Sequence, residues 1–339
     1  MFRMFKQRWG PKICSLIPHD LWHRLLEVEL VLPYYHVVSE QDLPHVSGLY
    51  KLRKLQQFED DLDFFLRFYK PVNLQDIIDH LDGVRRLPKR CFLLTFDDGF
   101  HEIYDVIAPL LYKKGIPAVF FLITSVIDNR DLCYPQKKSL LLRALTSLED
   151  SFEKQEVLRH LTRSGINGPD LPTRIRSIYY RDRHVLDDLG KLLGCDFADY
   201  VASVQPYLSS VQVKALMKKG FAIGAHSIDH PLYSELTLEE QLFQTRESIN
   251  YLSKQFHYNC KAFAFPYMDA GISHEFYKSV FTDSGLKVTF GTGGILPHFF
   301  PRNLSRFSME RTDLPAAQIL ARQFGKAFLY RPLRGKART

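Results

Sequence analysis

Short, mostly apolar runs of strand type recur along this chain with helical patterns between them, and no other feature limits the fold as much. The runs are 31–38, 91–96, 118–123, 221–225, 261–265, 287–291 and 304–309. Several are apolar almost throughout, as strands covered on both faces must be. Strands that alternate with helices read as βα units around a mainly parallel sheet. In 56–69, Phe58, Leu62, Phe65, Leu66 and Tyr69 recur at helical spacing with Glu59, Asp60, Asp61 and Asp63 between them. Thr237 with Glu240 reads as a capping box opening a helix to about residue 255, and Ser209 with Gln212 opens another that Gly220 stops.

One segment breaks the rhythm. Residues 129–207 hold helical patterns around 138–148, 151–163 and 183–193 but no convincing strand, and Gly165, Gly168, Pro169 and Pro172 punctuate them. The expected organisation is an N-terminal extension (1–30), a barrel-like α/β domain (31–314) with a helical insertion (129–207), and a C-terminal helix with a basic tail (315–339). A chain of 339 residues with 45% hydrophobic residues can bury a core of that size.

The net charge of +7 is a mild excess, and part of it sits at the ends, in Arg3, Lys6, Arg8 and Lys12 and in Arg331, Arg334, Lys336 and Arg338. No dense basic stripe interleaves with aromatics, which speaks against a nucleic-acid partner. The basic ends read either as solvated tails or as contacts to an anionic membrane face. Cys14, Cys91, Cys133, Cys195 and Cys260 are scattered, without a CxxC pair, which favours a reducing compartment. Charged residues interrupt every apolar run between Met1 and Leu32, and no stretch approaches the ~20 apolar residues of a membrane span. The expected location is cytoplasmic, at most peripheral to the inner membrane.

The sharpest local signal is Thr95-Phe96-Asp97-Asp98-Gly99, directly after the apolar run Cys91-Phe92-Leu93-Leu94. Two adjacent carboxylates at the carboxyl end of a buried strand need partners, and active sites of parallel α/β folds collect at that end. The plainer alternative is a polar turn in which Asp97 or Asp98 caps a helix over 100–114. The second signal, Gly224-Ala225-His226-Ser227-Ile228-Asp229-His230, follows another β run. Two histidines four apart suit one metal ion, from a helical turn or a tight loop. Both motifs are expected at the same end of neighbouring strands. One carboxylate and two imidazoles make a facial set suited to Zn²⁺ or a similar divalent ion, and the other carboxylate is then available as a base. The third, Phe263-Ala264-Phe265-Pro266-Tyr267, ends a further strand.

These three motifs, in this order, resemble those of the polysaccharide deacetylase family (NodB-homology, carbohydrate esterase family 4), and most closely its FAYPYG-type exopolysaccharide deacetylases. The resemblance runs from about Tyr34 to Met309, and Tyr35-His36-Val37-Val38 matches the opening of exopolysaccharide-type members. It implies a distorted (β/α)7-type barrel. It further implies Asp97 as catalytic base and Asp98, His226 and His230 as ligands of a divalent metal, with Zn²⁺ first in line. Ser227 would support the loop between the histidines, and the Tyr267 backbone amide would help hold an oxyanion. The implied reaction is removal of an N-acetyl group from an amino sugar in a polysaccharide or glycan precursor. The alternatives are a deformylase or other C–N hydrolase on a lipid- or nucleotide-linked sugar, and a glycan-binding pseudoenzyme.

The chain also departs from the family pattern. Ala264 stands where the third motif normally has an Arg that orients the base. Arg302 or Arg306, beside a predicted strand whose neighbour carries the Phe-Pro-Tyr motif, would replace it, with Arg306 preferred. Met268 replaces the common Gly after Tyr267. The Asp-x-x-Asp-Trp motif is absent, since the tryptophans are Trp9 and Trp22. Leu296-Pro297-His298 is the formal match to the family's last motif and makes His298 the candidate general acid, with His36 competing.

Overall fold

The strand-like runs form a parallel sheet that curls back on itself. The computed structural model describes residues 17–148, 152–296, 298–310 and 313–334. Arg3, Lys6, Arg8, Lys12, Cys14, Lys336 and Arg338, singled out above, lie outside them. The strands are β1 (Leu30–Val31), β2 (Pro33–Tyr35), β3 (Lys70–Pro71), β4 (Cys91–Phe92), β5 (Leu94–Phe96), β6 (Ala118–Leu122), β7 (Ala222–Ala225), β8 (Ala262–Ala264), β9 (Val288–Gly291), β10 (Asn303–Ser305) and β11 (Phe307–Ser308). Eight of them pair in the order β10-β9-β8-β7-β6-β5-β2-β11. The end strands β10 and β11 are separated in sequence by Arg306 alone. This stretch pairs with β9 through its first half and with β2 through its second, closing the sheet into a distorted (β/α)7-type barrel. A second parallel sheet, β1-β4-β3, lies at the amino-terminal side of β2 and β5 in the chain.

Strand alternation sorts the side chains. Leu32, Leu93, Val119, Phe121, Ala262, Ala264, Val288 and Phe290 pack as one cluster inside the barrel. Their alternates Tyr35, Phe96, Phe120, Ile223 and Phe263 join the layer beneath the helices. Both layers are buried, so the sequence shows continuous apolar runs. Gly224 is needed in this packing, because a Cβ there would stand 2.4 Å from the Phe121 ring.

The helices are α1 (His19–Leu26), α2 (Pro44–Ser47), α3 (Leu55–Phe68), α4 (Leu74–Leu81), α5 (Ala108–Lys114), α6 (Tyr134–Ser147), α7 (Phe152–Arg163), α8 (Leu171–Arg176), α9 (Val185–Leu192), α10 (Phe197–Val204), α11 (Ser210–Lys218), α12 (Leu238–Phe256), α13 (His274–Asp283) and α14 (Ala316–Arg334). Both expected capping boxes form. Thr237 accepts from the Glu240 N–H while Glu240 accepts from the Thr237 N–H, and Ser209 and Gln212 do the same. Between β6 and β7 the chain runs through α6 to α11. There Leu141, Val157, Leu161, Ile175, Leu186 and Leu189 form an apolar cluster distinct from the barrel's. No helix among the described residues is long and apolar enough to cross a membrane.

Several expected elements are shorter. The run 31–38 leaves the barrel sheet after Tyr35, where the N–H groups of His36 and Val37 donate to the Glu310 carboxylate instead of a strand, and Val38 makes only an isolated parallel bridge to Arg53. The expected helix over 100–114 begins as a π turn, Ile103–Ile107, before α5. Neither aspartate of the preceding turn caps it.

Candidate metal centre and hydrolytic site

Asp97 leaves the end of β5 on the same parity as Leu93 and Thr95, so its side chain enters the barrel. There it meets Arg306, which is 0% exposed. Arg306 Nη1 donates to Asp97 Oδ1 at 2.7 Å and Nη2 to Oδ2 at 2.8 Å. Its Nη1 also reaches Thr95 Oγ1 at 2.9 Å, and its Nε reaches the Gly291 carbonyl at 3.3 Å. The guanidinium lies over the Tyr34 ring, 4.8 Å from its centre. Burial pulls the Asp97 carboxyl upward. Arg306, with His226 and His36, outweighs that and holds it below the ordinary carboxylate range.

Asp98 has the opposite surroundings. It is 4% exposed, sits at φ +72°, and its Oδ1 has no hydrogen-bond donor among the described residues. That oxygen faces His226 Nε2 at 3.4 Å and His230 Nε2 at 3.3 Å. His226 Nδ1 donates to the Ala264 carbonyl at 2.8 Å, which orients the ring with Nε2 toward Asp98. The three candidate ligand atoms lie within 4.8 Å of one another, and no other group of three His, Cys, Asp or Glu side chains does so among the described residues. Two ligands each about 2.0–2.1 Å from one ion stand about 3.0–3.4 Å apart, so the observed spacing fits a shared divalent ion. A buried carboxylate oxygen facing two imidazole nitrogens, with His230 Nδ1 also left without a partner among the described residues, suits a shared ion. Burial opposes the charge on Asp98, yet the neighbouring histidines hold its carboxyl well below the usual range.

The histidines lie on a loop and not on a helix. Ser227 Oγ accepts from the His230 N–H at 2.9 Å, and the Ser227 carbonyl accepts from the Thr124 N–H. Asp98, Ser227, His230 and Tyr267 all hold positive φ without being glycine, a concentration of strain expected where geometry serves chemistry. The two motif strands are not neighbours, because β6 runs between β5 and β7. Both still end at the same barrel mouth.

The arginine expectation is met at one of its two positions. Arg302 pairs with Asp82 at 2.6 Å, away from the site. Arg306 clamps Asp97, although its strand neighbours are β9 and β2 and not β8, the strand before the Phe-Pro-Tyr motif. Arg306 sits at the kink where the barrel closes, so its side chain crosses the interior.

His298 does not line the catalytic cavity. Its Nε2 faces Asp269 at 3.6 Å, and its Nδ1 accepts from the Phe300 N–H. Asp269 in turn ties Thr292 and Asn303 together, so this histidine belongs to a loop-bracing network. His36 does line the cavity, a volume of 490 Å³ shared with Asp97, Asp98, His226, His230 and Tyr267. Its Nδ1 contacts Glu310 Oε2 at 2.5 Å and its ring stacks on Tyr50 at 4.5 Å. Burial works against the charge on His36. Glu310, Asp98 and Asp97 overcome it and push the imidazole up to about 9. Glu310 was missed in the sequence, where an acid after the last strand reads as surface.

Tyr267 lies against His230, ring centres 4.6 Å apart, and its hydroxyl meets that of Tyr134 at 2.8 Å. Its backbone N–H has no acceptor among the described residues. A larger cleft of 640 Å³ on the insertion has no comparable chemistry. Its Lys137 is already paired with Asp187 at 2.9 Å and Asp131 at 3.5 Å.

Comparison with known proteins adds three findings. The family model described as polysaccharide deacetylase matches residues 85–170 and 192–280, just over half of the chain. Poly-beta-1,6-N-acetyl-D-glucosamine N-deacetylase of Escherichia coli strain K12 is 34% identical over 61 residues, a stretch covering 18% of this chain and only 9% of that protein. Among solved structures, the Streptococcus pyogenes deacetylase PplD in complex with acetate aligns with TM-score 0.55 and 15% identity, over 87% of this chain and 98% of that one. IcaB from Ammonifex degensii aligns with TM-score 0.54 and 17% identity, over 87% and 97%. At such identities these two speak for the fold alone.

Proposed function

The chain belongs to the polysaccharide deacetylase family, and from that premise we propose that it is a metal-dependent hydrolase removing N-acetyl groups from an amino sugar in a polysaccharide or glycan precursor. One observation carries the reading. Of two adjacent aspartates, Asp97 has both oxygens clamped by Arg306, while Asp98 turns an oxygen without a hydrogen-bond donor toward the Nε2 atoms of two histidines.

Asp98, His226 and His230 would hold the divalent ion, for which the oxygen–nitrogen donor set puts Zn²⁺ first. A bound divalent ion makes water acidic enough to act near neutral pH and polarises a carbonyl oxygen. Asp97 accepts the proton of the attacking water. Arg306 keeps it ionised and fixes its direction. The Tyr267 N–H donates to the acetyl oxygen as negative charge develops there. His36, protonated at neutral pH, passes its proton to the leaving nitrogen, so the C–N bond breaks to give acetate and a free amino sugar. Glu310 keeps His36 charged and oriented.

The test is acetate release by the metal-supplemented full chain from N-acetylated mono-, oligo- and lipid-linked sugars. Release that stops on chelation and returns with the metal supports the proposal. Glycan binding without acetate release from any of them would turn the reading to a binding protein.

A further inference from the structure

The catalytic cavity has a second wall, built by the helical insertion and α2, which the reaction above does not use. Gln136 and Lys138 on α6, Arg176 at the end of α8 and Tyr50 after α2 all line it. Gln136 is 1% exposed, and its Oε1 has no donor among the described residues; the Tyr50 hydroxyl is likewise buried without a partner. Orphaned buried polar atoms facing a cavity are expected where a ligand completes them.

The charges on this wall also lack a contacting counter-charge among the described residues. In the barrel mouth, Arg306 balances Asp97, His36 balances Glu310, and Asp98 belongs to the ion. Lys138 and Arg176 come within ion-pair distance of no carboxylate among the described residues. Lys138 Nζ donates to the Arg176 backbone carbonyl at 3.3 Å, which ties α6 to the end of α8, and it lies over the Tyr134 ring, 5.0 Å from its centre. Lys138 is 9% exposed, and burial pushes its amine down to about 8, with Glu235 too far away to form an ion pair. A largely desolvated amine without a carboxylate partner is costly to keep charged, and an anion entering the cavity would offset that cost.

We propose that the insertion forms a subsite for an anionic substituent of the substrate, a phosphate ester or a carboxylate on the residue next to the N-acetyl sugar. Lys138 and Arg176 bind the anion, while Gln136 and Tyr50 hydrogen-bond neighbouring sugar hydroxyls. This rests on the hydrolase reading for its place in the reaction, but the binding it describes is measurable without turnover.

The probes are di-N-acetylchitobiose as the neutral sugar, an N-acetylglucosaminyl-glucuronate disaccharide for the carboxylate, and N-acetylglucosamine 1-phosphate for the phosphate. Both kcat/KM for acetate release and calorimetric Kd are measured on the metal-loaded full chain. At least one anionic probe should exceed the neutral one by about tenfold in both readouts, the scale of a charge-assisted hydrogen bond. Which probe does so identifies the source of the anion. Lys138→Gln keeps a donor for the Arg176 carbonyl and removes the charge. Arg176→Gln alters an exposed side chain and is the variant safest for folding. Each should lower the anionic-to-neutral ratio, chiefly through KM, and the double variant should bring it near one. A wild-type ratio near one for both anions, or a ratio that survives the double variant, overturns the proposal. If no probe releases acetate but the Kd preference exists and the variants erase it, the subsite stands and the hydrolase reading falls.

Discussion

The barrel mouth and the facing wall of the insertion bury similar groups in opposite ways. At the mouth, Asp97 and Glu310 are each held by a fixed counter-charge, through Arg306 and His36. On the wall, Gln136 Oε1 and the Tyr50 hydroxyl have no partner among the described residues, and Lys138 has a carbonyl and the Tyr134 ring but no carboxylate. Groups already satisfied in the folded protein keep one geometry and suit bond making and breaking. Groups left unsatisfied are ready for something that arrives. Substitutions at the mouth should therefore change turnover, pH dependence and stability together, and those on the wall should change selectivity with little effect on stability.

The largest effect should come from breaking the clamp. Arg306→Met leaves Asp97 as an uncompensated buried carboxylate and should lower unfolding free energy by about 3–5 kcal/mol in denaturant titration. Because Arg306 holds the carboxyl down, its loss raises that pKa. The base is then ionised only at higher pH, and the acid limb of the turnover profile should move upward. An unchanged limb would detach Arg306 from the base.

Glu310→Gln comes next. His36 is raised to about 9, so a general acid at this position works below that pH and fails above it. Removing the largest contribution that raises it should draw the alkaline limb of kcat down toward ~6.5, and turnover at pH 8 should fall by ~10-fold or more. A limb that stays near 9 would mean that another group delivers the proton.

Tyr50→Phe should be the mildest and the sharpest contrast. It removes a buried hydroxyl that has no partner, so the melting curve should move by no more than ~0.5 kcal/mol in either direction. KM should rise a few-fold. A loss of stability like that of Arg306→Met would erase the distinction between the two walls.

Much of the mouth was legible in the sequence, for local reasons. Apolar strands ending in Asp-Asp, His-x-x-x-His and Pro-Tyr mark the carboxyl ends of a parallel sheet, and the arginine missing at Ala264 pointed to a replacement on the last strand. What escaped depends on closure of the barrel. Glu310 meets His36 across 274 residues, and nothing beside either marks the pair. The place of β6 between the two motif strands follows from the sheet order and not from motif spacing. Positive φ at Asp98, Ser227, His230 and Tyr267 left no glycine to read. On the insertion, the apolar residues of α6 announced a helix, but the cavity-facing Gln136 and Lys138 look in sequence like any solvated face.

The account turns on the division of labour between Asp97 and Asp98, and metal content measured beside turnover in Asp97→Asn and Asp98→Asn tests it most directly. Asp97→Asn should keep one divalent ion per chain while turnover falls by about 10²–10⁴, the usual loss for a general base. Asp98→Asn should lose the stoichiometric ion and turnover together. An Asp98→Asn protein that still binds the ion, or an Asp97→Asn protein that sheds it or works at the wild-type rate, would contradict the account.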